Sequence, residues 1–312
     1  MHDFRHCITM LCVLDGLFAF LLGIVINVTF QFPALAGVLK GPCIMFFYRL
    51  FGYNGCKVIV CLTFQLIAAI LYIQNYGIKF RFFTIYPNKK YFEYYSSTRG
   101  LIYVYSSCVV LSSVIGISIY ILMHSENEIP TVVANYPNTK EVFMDYIPGQ
   151  NVLMAANPQS AMWFFIFGYV TICVLICEIT SYGMFFLAMR MLKKFSSNFT
   201  KQTLQMQKQF LRLLIVQATT PLAFLVIPVL LLVYQVTFEM PQARLQTEIG
   251  MLWIGLYSNV NACLTIFCIS PVRKFTKRIT VDPFLKVFGV NVKVTPLEIQ
   301  ATSSLNFNSR IF

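Results

Sequence analysis

The chain has 312 residues, of which 57% are hydrophobic and only 12% charged, with a formal net charge of +12. Ordinary soluble domains carry about 25% charged residues, so this composition excludes a water-solvated globular surface of normal polarity. Lys and Arg are gathered between long apolar stretches rather than spread along one basic face, which argues against nucleic acid as a partner.

Six stretches are apolar enough to cross a bilayer, for which about 20 residues suffice at a rise of about 1.5 Å each. The first, 7–30, carries Asp15 within it and Asp3 before it. It is too long for the apolar part of a cleaved leader and reads as a retained span. Residues 31–53 contain Pro33, Gly37, Gly41 and Pro42 and read as a structured turn. The second span, 54–76, holds Gln65 in its middle, and Lys57 near its start reads as snorkelling outward. A basic, tyrosine-rich loop follows over 77–99, through Lys89, Lys90, Tyr91 and Tyr95. The third span is 100–123. The long segment 124–161 is broken by Pro130, Pro137, Pro148 and Pro158.

The fourth span, 162–189, carries Glu178, and a basic connection with Lys193, Lys194, Lys201 and Lys208 leads out of it. The fifth, 211–238, is the most irregular, with Gln217, Thr219, Thr220, Pro221 and Pro228 in its interior. Each proline removes a backbone donor and crowds the preceding turn, so two bends are expected there. The sixth, 248–270, carries Trp253, Tyr257, Asn259 and Asn261. Pro271 ends it, and Val272, Phe275 and Ile279 then recur between Arg273, Lys274, Lys277 and Arg278. That pattern suits a short basic amphipathic helix lying on a leaflet. The expected organisation is an all-α polytopic membrane helix bundle over 1–270 followed by a cytoplasmic tail, 271–312.

If the amino terminus is inside, nineteen of the 24 Lys and Arg fall on inner segments and four on outer ones, with Lys57 in a span. The positive-inside rule then puts both termini in the cytoplasm and the protein in a cellular membrane.

Charges within spans are expensive, so Asp15 and Glu178 are candidates for a switching or ion-linked role. Gln65, Gln217, Asn259 and Asn261 add amides that join the same polar network or serve as glue between helices. Of the ten cysteines only Cys43 and Cys56 lie towards the outer side, where a bridge between them is open. Cys173 and Cys177 have no nearby His and make no metal site. Only His2, His6 and His124 occur, none in a span, and there is no P-loop, nucleophile elbow or TVGYG filter. Neither an enzyme nor a cofactor or metal is expected.

Residues 199–228, FTKQTLQMQKQFLRLLIVQATTPLAFLVIP, resemble a signature of nematode serpentine chemoreceptors, class H in particular, through Gln217, Pro221 and Pro228. The SPVRKF segment is similar to the closing Pro-Tyr-Arg-Lys element of that family, with Val272 in the Tyr place. Asp15 followed by FPALAGVLKG looks like its second helix and first outer loop. Gln74, Asn75 and Tyr76 fall where relatives often carry Glu-Asn-Arg, which removes a charge pair that would lock the resting state.

The resemblance implies a seven-helix, rhodopsin-like G-protein-coupled receptor, read here as lacking the first helix and so left with six spans. It further implies a small odorant-type ligand entering from the outer side, with Gln65, Trp253, Tyr257 and Asn261 as pocket residues. Pro221 and Pro228 would answer it as helix pivots, the alternative from the residues alone being static packing kinks. Lys193, Lys194, Lys201 and Lys208 would face a heterotrimeric G protein. Membrane lipid and another receptor supplying the absent helix complete the implied partners, in the plasma membrane of sensory cells. The alternatives are a six-helix channel or transporter, and a truncated receptor that does not signal.

Overall fold

The computed structural model describes residues 2–31, 35–135, 145–147, 150–157, 160–198, 200–237 and 244–268. Residues Met1–Leu264 form one compact unit. Of the unit from Thr265 onward only the last turn of a helix is described, and the expected tail helix with Val272, Phe275 and Ile279 lies outside the described residues.

The first helix, α1 (His2–Phe20), passes into a π-helical segment, Leu21–Ile26. Asn27 ends it in the left-handed region at φ 42°, donating its N–H to Leu22 O. Two short strands follow, β1 (Val28–Gln31) and β2 (Ala36–Leu39), paired antiparallel with Val28 opposite Leu39. Gly41 N–H then returns to Ile26 O. A Cβ at Gly41 would sit 2.0 Å from Val25 O, so this return has room for glycine alone.

Helix α2 (Pro42–Ile85) is 44 residues long, about 66 Å of helix, roughly twice the thickness of a hydrocarbon core. It is two helices joined at Gly52, whose φ of 65° and ψ of −166° are essentially closed to other residues. Gly52→Ala meets no steric neighbour there, so its cost is backbone strain alone. We expect a loss of about 1–2 kcal/mol, read as a lowered unfolding midpoint of the purified chain. An unchanged midpoint would mean that the joint relaxes freely.

The tyrosine-rich segment expected as a loop is helical instead. Helix α2 runs on through Ile78, Phe80, Phe82 and Ile85, all buried: Ile78, Phe82 and Ile85 share one face, and Phe80 is buried on the other. Asn88 then caps α3 (Lys89–Ser96), accepting from Lys90 N–H. Phe83 stacks on Tyr95 at 5.1 Å between ring centroids, Phe80 lies 5.4 Å from Phe92, and Tyr76 donates to Tyr95 O. Aromatic packing therefore folds α3 back against the end of α2.

Helix α4 (Thr98–Leu122) leads to a helical turn at Glu126–Glu128 and to α5 (Ile129–Ala134). The segment then returns strand β3 (Val152–Ala155) to pair with β2, Ala36 opposite Ala155. The turn expected at 31–53 and the long segment 124–161 thus meet in one three-stranded sheet. Its residues Ala36, Val38, Leu39 and Val152–Ala155 pack with Val25, Ile44, Cys56, Ile59 and Met123. Lys40 pairs with Asp145 at 3.1 Å, and Tyr48 donates to Glu126 at 2.5 Å. Cys56 is a free thiol with its Sγ against Ile44 O, so it is not bridged to Cys43.

Helix α6 (Ala161–Lys194) is followed by α7 (Lys201–Pro221), a π-helical segment at Leu222–Val226, α8 (Ile227–Thr237) and α9 (Arg244–Cys268). Four helical stretches are long and apolar enough to cross a membrane: His6–Ile26, Ile44–Ile85, Thr98–Leu122 and Ala161–Lys194. Ala218–Leu231 and Ile249–Leu264 are shorter apolar helices. The exposed surface of these elements is apolar, with Phe164, Phe165, Ile179, Leu252 and Val110 each more than half exposed. Such an inverted distribution suits a lipid solvent, and the fold is an all-α polytopic membrane bundle with a small sheet at one end. Helix α2 runs through its middle, packed against α1, α4, α6 and α7.

Candidate functional site

Helix α1 turns Cys7, Leu11, Asp15 and Phe18 to the interior, a spacing of three or four residues that defines one face. Helix α9 does the same with Ile254, Tyr257, Ser258 and Asn261. Where the two faces meet, Tyr257 Oη donates to Asp15 Oδ1 at 3.2 Å and Asn261 Nδ2 to Asp15 Oδ2 at 2.5 Å. Ser258 Oγ donates to the backbone oxygen of Asp15. From α2, Gln74 Nε2 donates to Tyr257 Oη at 3.2 Å. Phe18 stands edge-on to the Tyr257 ring at 6.2 Å and closes the apolar side.

A buried carboxylate only accepts hydrogen bonds and is costly unless its oxygens are matched to donors. Both oxygens of Asp15 are so matched, one by Tyr257 and one by Asn261. Three helices, α1, α2 and α9, are therefore tied to a single buried acid. Sliding α9 along α1 breaks two charge-assisted bonds together, so the contact favours discrete arrangements over gradual drift.

A second tie holds the irregular helix. In a π-turn each carbonyl accepts from the N–H five residues on, and Ile227 N–H reaches Leu222 O in this way. The next carbonyl, Ala223 O, would need the N–H of residue 228, which is proline and has none. Trp253 Nε1 of α9 donates to Ala223 O instead, at 3.1 Å, and its ring lies 5.6 Å from Phe224. One turn earlier, Thr219 and Thr220 hydroxyls donate to Ile215 O and Val216 O, a back-bonding that loosens the ladder ahead of Pro221. The two prolines thus bracket a π-turn whose unpaired carbonyl is capped from the neighbouring helix.

Further polar contacts join the remaining helices. Asn75 Nδ2 lies 2.8 to 2.9 Å from Cys177 O, Thr180 Oγ1 and Ser181 Oγ, linking α2 to α6. Gln65 Nε2 donates to Ser113 Oγ at 2.9 Å, linking α2 to α4. Tyr182 and Thr219 share a bond between α6 and α7.

The structure brings Asp15, Tyr257 and Asn261 together and places Gln65 in a separate contact with α4. Trp253 is half exposed and engaged at the π-turn. Glu178 lies on α6, half-buried, with its Oε2 meeting no hydrogen-bond partner among the described residues, and takes no part in the Asp15 cluster. Asn259, expected in the buried network, is exposed, because two helical residues back from Asn261 is about 200° around the axis. Gln217 is helical and its side chain lies outside those described. Lys193, Lys194 and Lys201 are exposed and Lys208 is half-buried. Among the described residues no group of three or more His, Cys, Asp or Glu is placed to hold a metal ion.

Gln74, Ser258 and Trp253 in its capping role were missed from sequence. The spacing of Tyr257 and Asn261 carried a signal for Ser258, which shares their face, and Gln74 was marked only by the resemblance, with nothing to pair it with Tyr257.

No curated protein matches the chain. A family model described as "Serpentine type 7TM GPCR chemoreceptor Srh" matches residues 1–282, nearly its whole length and all the described helices. The chain, with its acid-tied helices and its proline-bracketed π-turn, belongs to the Srh family of serpentine seven-transmembrane chemoreceptors.

Proposed function

We propose that this membrane chemoreceptor binds a small odorant-type molecule from the outer side of the plasma membrane of sensory cells and couples to a heterotrimeric G protein. Ligand occupancy is felt at Gln65, Trp253, Tyr257 and Asn261, the last two reading it through Asp15 rather than by touching it. The response is carried by the segment between Pro221 and Pro228. The basic inner residues Lys193, Lys194, Lys201 and Lys208 meet the G protein, and both termini face the cytoplasm.

The observation that carries this reading is the convergence of α1, α2 and α9 on Asp15 beside a π-turn held by Trp253 of the same α9. A shift of α9 acts on both at once, which is what a two-state transducer needs. The test is a panel of odorants applied to cells that express the chain at their surface with a G-protein readout. At least one compound is expected to give a dose-dependent response that Pro221→Ala reduces. Silence across the panel with surface delivery established would count against signalling.

A further inference from the structure

At the sheet end of the bundle a cavity of about 480 Å³ opens between α2, α4 and the start of α6. Its size falls in the range of small-molecule sites, about 300–1,000 Å³. Lys57 of α2 lines it, and far from snorkelling into solvent its side chain is buried, with 6% of its surface exposed. The reason is its place on α2, where Tyr53, Cys56, Lys57 and Cys61 share the inward face. Lys57 Nζ donates to Met123 O at 2.9 Å, at the carboxyl end of α4 where a cation is favoured, and sits 4.4 Å from the Tyr120 ring centroid.

An ammonium has three donors, and Met123 O takes one. Among the described residues no carboxylate forms an ion pair with Lys57; the described ion pairs are Lys40 with Asp145 and His124 with Glu128. Glu128 is the acid on the cavity wall, and it is already engaged. Its Oε2 lies 2.8 Å from His124 Nδ1 and accepts from Ser125 N–H at 3.1 Å, and the His124 bond holds the carboxyl below its usual range. The remaining wall combines apolar Ile121, Leu122 and Met123 with polar Asn157 and Ser160.

Resting on the receptor reading above, we propose that this cavity takes a small carboxylic acid with an apolar tail, its ionised head held by Lys57. A buried ammonium with no carboxylate bonded to it among the described residues is costly, and a ligand carboxylate both neutralises it and accepts from donors that Met123 O leaves open. An alcohol of equal length offers a neutral acceptor, and charge-assisted hydrogen bonds are roughly twice as strong. The Tyr120 ring and the neighbouring aliphatic side chains receive the tail. The class of ligand is thus an acid rather than a neutral alcohol or a cation.

The test uses the purified full-length chain in lipid nanodiscs with radiolabelled octanoate as probe and octanol as competitor. Octanoate is expected to bind about tenfold or more tightly than octanol. Lys57→Gln should weaken octanoate binding about tenfold or more, while Lys57→Arg stays within a few-fold. Asn157→Trp fills the cavity, keeps the ammonium and should also displace octanoate, which decides the matter if Lys57→Gln does not fold. Equal affinity for octanol, absence of octanoate binding, or undiminished binding by folded Lys57→Gln would each overturn the acid site. Cells that answer neutral odorants while the chain ignores octanoate would sink the acid site and leave the receptor reading standing. Octanoate binding with no G-protein response to any compound would do the reverse.

Discussion

Asn261→Leu is expected to destabilise the protein by about 3 kcal/mol, whereas Asp15→Leu alone costs about 1 kcal/mol or less. The asymmetry follows from which partner is left behind. Removing Asn261 strips Asp15 Oδ2 of its donor at 2.5 Å and leaves the acid held by Tyr257 alone in a site where Asp15 is 9% exposed. Removing Asp15 leaves only neutral donors, and the charge no longer has to be taken out of water, a relief of about 2.5–3.5 kcal/mol near a helix centre. The double variant Asp15→Leu with Asn261→Leu should therefore be more stable than Asn261→Leu alone. Denaturant titration of the four proteins in nanodiscs, followed by circular dichroism, measures this cycle. Equal single costs that add in the double variant would show that Asp15 and Asn261 do not depend on each other.

Trp253→Leu should cost about 2–3 kcal/mol, and Pro228→Ala should remove part of that cost. Two losses combine in the single variant: the indole donor to Ala223 O, about 1–2 kcal/mol, and the ring contact with Phe224, about 1 kcal/mol. In lipid no water replaces the lost donor, so the orphaned carbonyl keeps its penalty. An alanine at 228 restores a backbone N–H at the position a π-turn pairs with Ala223 O. In that background Trp253→Leu should lose only the ring contact, a coupling of about 1 kcal/mol in the cycle. Absence of coupling would mean that Trp253 does not stand in for the proline nitrogen. Because Pro228→Ala tightens the turn, the same variant should show a smaller response to any activating odorant.

Membrane helices were legible because a bilayer imposes a single coarse demand, some twenty largely apolar residues, and four of the six expected stretches overlap helices that meet it, while the last two are shorter apolar helices among the described residues. Pro221 and Pro228 were equally plain, since a missing N–H is a property of the residue itself. What the sequence withheld was pairing. Asp15 and Asn261 are 246 residues apart, and nothing local to either names the other. The sheet escaped notice because AGVL and VLMA are buried along their whole length and read as continuous apolar runs, without the alternation of a half-buried strand. Helix α3 escaped because eight residues are too few to be helical on their own, and contacts with Phe80 and Phe83 of α2 stabilise it. Two misreadings were avoidable: helical phase alone puts Lys57 on the buried face of α2 and turns Asn259 away from the face of Asn261.

Strand β2 has a bearing on how the chain is made. During synthesis β1 emerges just ahead of it and can close the hairpin at once, but the residues that cover its other edge, Val152–Ala155, follow only after α2, α3 and α4. For that interval the nascent polypeptide presents Val38 and Leu39 on an open, sticky border, of the kind that recruits stray strands. Arrested ribosome complexes ending before Val152 should accordingly be the ones most prone to clump or to hold a chaperone, and those extended past Ala155 should be released.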